Sequence, residues 1–95
     1  MSVVIEKAIA ALAEKLPNGF SATAKFEIEG EGSIIVDENG VRAGDDEADV
    51  TLTASAKTFQ GMIEGDVNPT AAFMTGKLKV DGAMGLAMQL GAALA

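Results

Sequence analysis

Between positions 45 and 49 the chain gathers Asp45, Asp46, Glu47 and Asp49, side chains able to hold a proton or a cation. Acid–base catalysis by carboxylates needs two of them in environments that push their pKa values apart. A polar stretch such as "GDDEAD" offers no such contrast, and it reads as a solvated charge run. A weak calcium site is the alternative. The calcium-loop pattern does not support it, because Asp37, Asn39 and Gly40 lack its spacing and no glutamate stands at its last ligand position. The chain has no His and no Cys. That removes the commonest general base, the triads built on it and nearly all zinc sites. "GEGSII" from Gly30 carries two glycines of a dinucleotide fingerprint but leads into a strand, so a hairpin turn explains both. No catalytic residue, metal or cofactor is nominated, and an enzyme is not expected.

The methionines carry a different chemistry. Met62, Met74, Met84 and Met88 all fall in the second half, joined there by Phe59 and Phe73. A single Met fills irregular core gaps, whereas a cluster makes a flexible, polarisable wall that accepts apolar molecules of varied shape. The last fourteen residues, Gly82 to Ala95, contain no charged side chain. Gly82, Gly85 and Gly91 each cost roughly 1 kcal/mol relative to alanine inside a helix. Capping excuses Gly82, while the other two suggest close backbone packing or a helix that moves.

Composition points the same way. The 95 residues fit one domain over 1–95, with 48% hydrophobic residues and a net charge of −7. That apolar share is rich for so small a core, and the surplus needs a ligand, a partner or a membrane. Seven basic against fourteen acidic residues, with no Tyr or Trp, weigh against nucleic-acid binding. "MSVVIEKAIAALAEKLP" has Glu6 and Lys7 where a targeting segment needs an apolar centre, so it reads as a structural helix. No apolar run reaches the roughly 18–20 residues of a membrane span, so stable insertion is not expected.

The elements that must position these residues follow from periodicity. Ile5, Ile9, Leu12 and Leu16 make an amphipathic helix over 2–16, capped by Ser2 and stopped by Pro17-Asn18-Gly19. "FSATAKFEIE" alternates from Phe20 as a long strand, Gly30-Glu31-Gly32 turns into a second around Ile34–Val36, and Asn39-Gly40 forms a tight hairpin to a third near Val41–Ala43. "DVTLTA" alternates again before Ser55 caps a helix that ends at Gly65. Asn68-Pro69 starts a short helix carrying Phe73 and Met74, "KLKV" is a fifth strand, and Asp81 is the expected cap of the uncharged helix 82–94. Antiparallel strands first and helices grouped later give an α+β, two-layer class.

"ADVTLTAS" at 48–55, "MIEGDVNPTAAFMTGKLKVDG" at 62–82 and "LAMQL" at 86–90 occur in an order that resembles the sterol-carrier-protein type 2 family. The resemblance implies a mixed five-stranded sheet covered on one face by helices, with an apolar tunnel between the layers that takes fatty acids, acyl-CoA esters or sterols. The expected lining is Phe26, Ile28, Val50 and Leu52 from the sheet floor, with Leu78 and Val80. Phe59, Met62, Phe73 and Met74 face helix 82–94, which presents Met84 and Met88. The ending Ala-Leu-Ala lacks the Ser-Lys-Leu type of address that members often carry, which points to a bacterial or otherwise cytoplasmic setting. Expected partners are an apolar lipid ligand and, at most, a membrane contacted transiently, with the chain a monomer or homodimer. Left empty and sealed, a tunnel of about 300 Å³ would cost roughly 7 kcal/mol at about 24 cal/mol per Å³. That is a large share of a domain's stability, so lipid fills it, the last helix collapses inward, or another subunit covers that helix. In this last case the chain is instead an interaction module.

Overall fold

A computed structural model describes residues 2–94. Four helices and five strands follow in the order α1 (Val3–Lys15), β1 (Ala24–Ile28), β2 (Gly32–Asp37), β3 (Gly40–Ala43), β4 (Val50–Ala54), α2 (Ala56–Glu64), α3 (Pro69–Met74), β5 (Leu78–Gly82) and α4 (Met84–Leu94). The strands form one mixed sheet in the order β3-β2-β1-β4-β5, with β1 and β4 parallel at its centre and every other pair antiparallel. The radius of gyration, 11.6 Å, is what a single packed body of this length has.

The helix ends form where local chemistry asks for them. Ser2 accepts the Ile5 N–H at 3.1 Å and Ser55 that of Thr58 at 3.1 Å, each satisfying a donor that the first turn leaves open. Gly65 closes α2 in the left-handed conformation. Asn68 caps α3 with Pro69 in its first turn, as the dipeptide implies. Gly61 in α2 has Val67 packed against its Cα, where a side chain would collide, and this brings the link to α3 close to α2.

Three expectations are corrected. The alternation from Phe20 does not all become strand: β1 begins at Ala24, while the Phe20 N–H reaches across to the Asp37 carbonyl at 3.0 Å. The β2–β3 turn has Glu38 and Asn39 at its centre, since Asp37 pairs with Gly40, and the positive φ falls on Gly40 (+119°). The Asp37 carboxylate accepts the Asn39 N–H at 2.9 Å, which stabilises this shifted turn. Asp81 caps nothing: it pairs with Thr51 inside β5, which runs on to Gly82, and α4 starts only at Met84. Ala95, the end of the uncharged stretch, lies outside the described residues.

Gly82 is required where it stands. Its φ is +104°, and a Cβ there would run into the Asp49 carbonyl oxygen, which also accepts the Ala83 N–H at 3.1 Å. Gly82→Ala is expected to destabilise the protein by about 2 kcal/mol, read as a lowered denaturation midpoint. By contrast, nothing lies within 4 Å of a Cβ built on Gly85, and one on Gly91 would meet Pro69 only at an ordinary 3.5 Å. Close backbone packing therefore explains neither.

The inner sheet face carries Ala24, Phe26, Ile28, Ile34, Val36, Val50, Leu52 and Ala54, all buried under the helices. The acidic side chains are exposed, as a solvated charge run implies, while their backbone is tied to the sheet. Residues 44–49 must carry the chain from edge strand β3 past β2 and β1 to β4, because parallel neighbours need a crossover. The segment crosses the outer face, with Gly44 over a fully buried Ile35. Asp45 takes the Lys25 ammonium at 2.8 Å, and Asp49 exchanges bonds with Thr23: its carboxylate accepts the Thr23 N–H at 3.0 Å and its own N–H donates to the Thr23 carbonyl at 2.8 Å. Nearby, Arg42 grips Asp37 through two bonds of 3.1 and 2.9 Å. The guanidinium, then the Asn39 N–H, hold the Asp37 carboxyl below the usual carboxylate range. A depressed folded value gives stability present at neutral pH and lost as pH falls through it. Arg42→Ala should therefore lower the thermal midpoint slightly at neutral pH, a difference that shrinks toward zero as pH falls through the Asp37 value, followed by circular dichroism.

Candidate functional site

The helix layer does not close over the β4–β5 end of the sheet. There α2, α3 and α4 leave a half-open apolar cleft of about 570 Å³, within the range of sites for small apolar molecules. Its floor is Leu52, Leu78 and Val80, which share the inner face because Leu52 pairs with Val80 and Ala54 with Leu78. Met62 of α2 closes the inner end, and Phe73 and Met74 of α3 form one wall. Met84, Ala87, Met88, Gly91, Ala92 and Leu94 of α4 form the other.

This division of α4 explains a helix that is apolar nearly all round. Ala87, Leu90 and Leu94 are buried in the core and hold it to the sheet, while Met84 and Met88, one turn apart, look out over the cleft. Around the mouth stand Phe73, Met74, Met84 and Met88, with 41%, 79%, 45% and 70% of their surface exposed. Large apolar side chains gathered at one opening mark a site for an apolar partner or ligand. Sealed and dry, 570 Å³ would cost roughly 14 kcal/mol, as much as a domain's whole stability. An open cleft avoids that cost by admitting water, which an apolar ligand then displaces.

Eight of the twelve expected lining residues meet here: Leu52, Met62, Phe73, Met74, Leu78, Val80, Met84 and Met88. Phe26, Ile28, Val50 and Phe59 do not line it. They are at most 4% exposed and belong to the packed core, where the Phe26 and Phe59 rings meet edge to face at 5.3 Å. Phe59 instead borders a second, smaller groove of about 470 Å³ between α1 and α2, which Lys7, Lys57 and Glu64 also line. Two residues that sequence reasoning missed line the first cleft, Asn68 and Thr70. Their only sequence signal was the helix cap. Instead of a closed tunnel between the layers, the structure has this open cleft. Among the described residues no cluster of side chains is placed to hold a metal ion, and no helix is long and apolar enough to cross a membrane.

The sequence profile of the SCP-2 sterol transfer family matches residues 5–95. The chain belongs to that family. It is 39% identical over 75 residues to human sterol carrier protein 2, an alignment covering 78% of this chain and 13% of that protein. It is 44% identical over 63 residues to peroxisomal multifunctional enzyme A of Dictyostelium discoideum, again 13% of that protein and 66% of this chain. The chain thus spans about an eighth of the length of these relatives, and in the second the matching segment is part of an enzyme. Among solved structures, sterol carrier protein 2 of Aedes aegypti in complex with palmitate superposes with a TM-score of 0.80 over 100% of this chain and 97% of that one, at 23% identity. The SCP-2 fold, a mixed five-stranded sheet under helices, is therefore shared across the whole chain.

Proposed function

We propose that the chain is a non-catalytic lipid carrier in which residues 1–95 act as one domain and the cleft beside α4 holds the hydrocarbon of a fatty acyl or sterol-like molecule. The observation that carries this reading is the set of four large, exposed apolar side chains, Phe73, Met74, Met84 and Met88, around an apolar cleft of about 570 Å³. Membership of a sterol transfer family supports the ligand class. Uptake and release would proceed through brief contact of this mouth with a membrane. The charge distribution suits that geometry: residues 69–95 hold two lysines and one aspartate, whereas residues 1–68 carry five basic against thirteen acidic side chains. The cleft-bearing end thus meets the surface while the strongly negative body faces away from it. A cytoplasmic site of action is part of the proposal.

The same exposed ring favours one other reading, in which a second copy of the chain covers the methionines. Native mass spectrometry of freshly purified protein, followed by lipid extraction, separates the two. The carrier reading expects a monomer with a copurifying mass released on denaturation. A stable dimer that carries no lipid and takes up none on titration would replace the carrier with the interaction module.

A further inference from the structure

The chain has no Cys, Trp, Tyr or His, which leaves methionine sulfur as its one readily oxidised side-chain group. Oxidation follows exposure, and exposure divides the methionines sharply. Met74 on α3, with Met84 and Met88 on α4, stands open at the cleft mouth, whereas Met62 at the inner end is 1% exposed. Every described methionine that solvent reaches therefore belongs to the wall against which a hydrocarbon would lie. None of these three anchors the fold. Helix α4 is held by Ala87, Leu90 and Leu94, and α3 by the buried Ala72. A change of polarity at the three sulfurs falls on the ligand and spares the core.

We propose that Met74, Met84 and Met88 form an oxidation switch, by which hydroperoxides turn lipid binding off; this rests on the carrier reading above. A sulfur lone pair attacks the terminal oxygen of ROOH, and the O–O bond breaks as the S–O bond forms. The proton passes to the departing oxygen, so sulfur is oxidised by two electrons and the peroxide leaves as ROH, water when R is hydrogen. In the empty cleft the sulfoxide oxygen stays hydrated and the protein stays folded. A hydrocarbon seated on it strips that water and offers no donor in return, so binding is lost. Bound lipid covers Met84 and Met88, so a loaded carrier resists the oxidant and an empty one is silenced. Methionine sulfoxide reductases, one for each epimer, return the wall to its apolar state.

The test treats delipidated protein with hydrogen peroxide until peptide mapping shows one added oxygen on each of Met74, Met84 and Met88. The peroxide is then removed and alkyl-pyrene titrated. Affinity should fall about tenfold or more, with Met62 unoxidised and circular dichroism unchanged, and the two reductases together should restore it. Saturating alkyl-pyrene during treatment should slow oxidation of Met84 and Met88. A variant carrying Met74→Leu, Met84→Leu and Met88→Leu, compared only with itself before treatment, should keep the affinity it started with. That variant separates the mouth from Met1, which lies outside the described residues. Undiminished affinity of the oxidised protein, a loss that the leucine variant shares, or no protection by the probe overturns the switch and leaves the carrier reading intact. Failure of alkyl-pyrene to bind the untreated protein overturns both.

Discussion

Replacing Met84 and Met88 together by glutamate is expected to weaken binding of an alkyl-pyrene or a long-chain lipid at least a hundredfold while the protein stays folded. The two side chains are 45% and 70% exposed, so the substitution removes little that holds α4 in place. Its anchors Ala87, Leu90 and Leu94 are untouched. Two like charges one turn apart cost the helix only about 0.2–0.5 kcal/mol. Binding is another matter. Each CH₂ of ligand buried against this wall contributes about 0.8 kcal/mol, and a hundredfold loss, about 2.8 kcal/mol, corresponds to only three or four of them. Beyond those lost contacts, a ligand would have to strip water from two carboxylates. Fluorescence titration should be flat while the thermal transition by circular dichroism stays within a few degrees. Undiminished affinity in the folded variant would place the ligand somewhere other than this cleft, with the α1–α2 groove beside Phe59 the next place to look.

Much of this architecture was legible in the sequence, for reasons that stop at identifiable points. Caps such as Ser2, Ser55, Gly65 and Asn68-Pro69 are settled by a residue's own hydrogen-bonding capacity or φ preference, so they can be read locally. Strand alternation says which residues share a face, and the inner-face assignments of Phe26, Ile28, Val50 and Leu52 follow from it. Local reading fails where a distant partner decides. Asp81 looks like a cap, but Thr51 across the sheet keeps it in β5, and the Asp49 carbonyl beside Gly82 postpones the helix to Met84. Asp45, Asp46, Glu47 and Asp49 are exposed as a charge run implies, but only topology says that their backbone crosses the sheet over Ile35. The cleft shows the same limit. Alternation cannot say where along the inner face the helices leave a gap, so half of the expected floor proved to be core.

Phe26 makes that distinction measurable. It lies on central strand β1, is fully buried, and pairs in register with Leu52 on one side and Ile34 on the other. Phe26→Ala is expected to cost about 3–5 kcal/mol through lost burial and the cavity left behind, including the edge-on contact with Phe59. With about 4–8 °C of melting temperature per kcal/mol in a domain of this size, the midpoint should fall by roughly 12–40 °C, and the loss removes much of a typical domain's stability. Phe26→Leu, which keeps most of the volume, should cost far less and fold well enough for titration. If Phe26 belongs to the core alone, its leucine variant binds lipid within about twofold of the unmodified protein despite a lower melting temperature. The methionine pair should do the reverse, losing affinity at constant stability. Were Phe26→Leu to lose affinity as steeply as Met84→Glu/Met88→Glu, the ligand would have to reach the sheet centre, and the cleft would be the entrance to a deeper tunnel that opens on binding. The two variants together therefore decide between a surface groove and a tunnel from depth alone, whichever lipid is used.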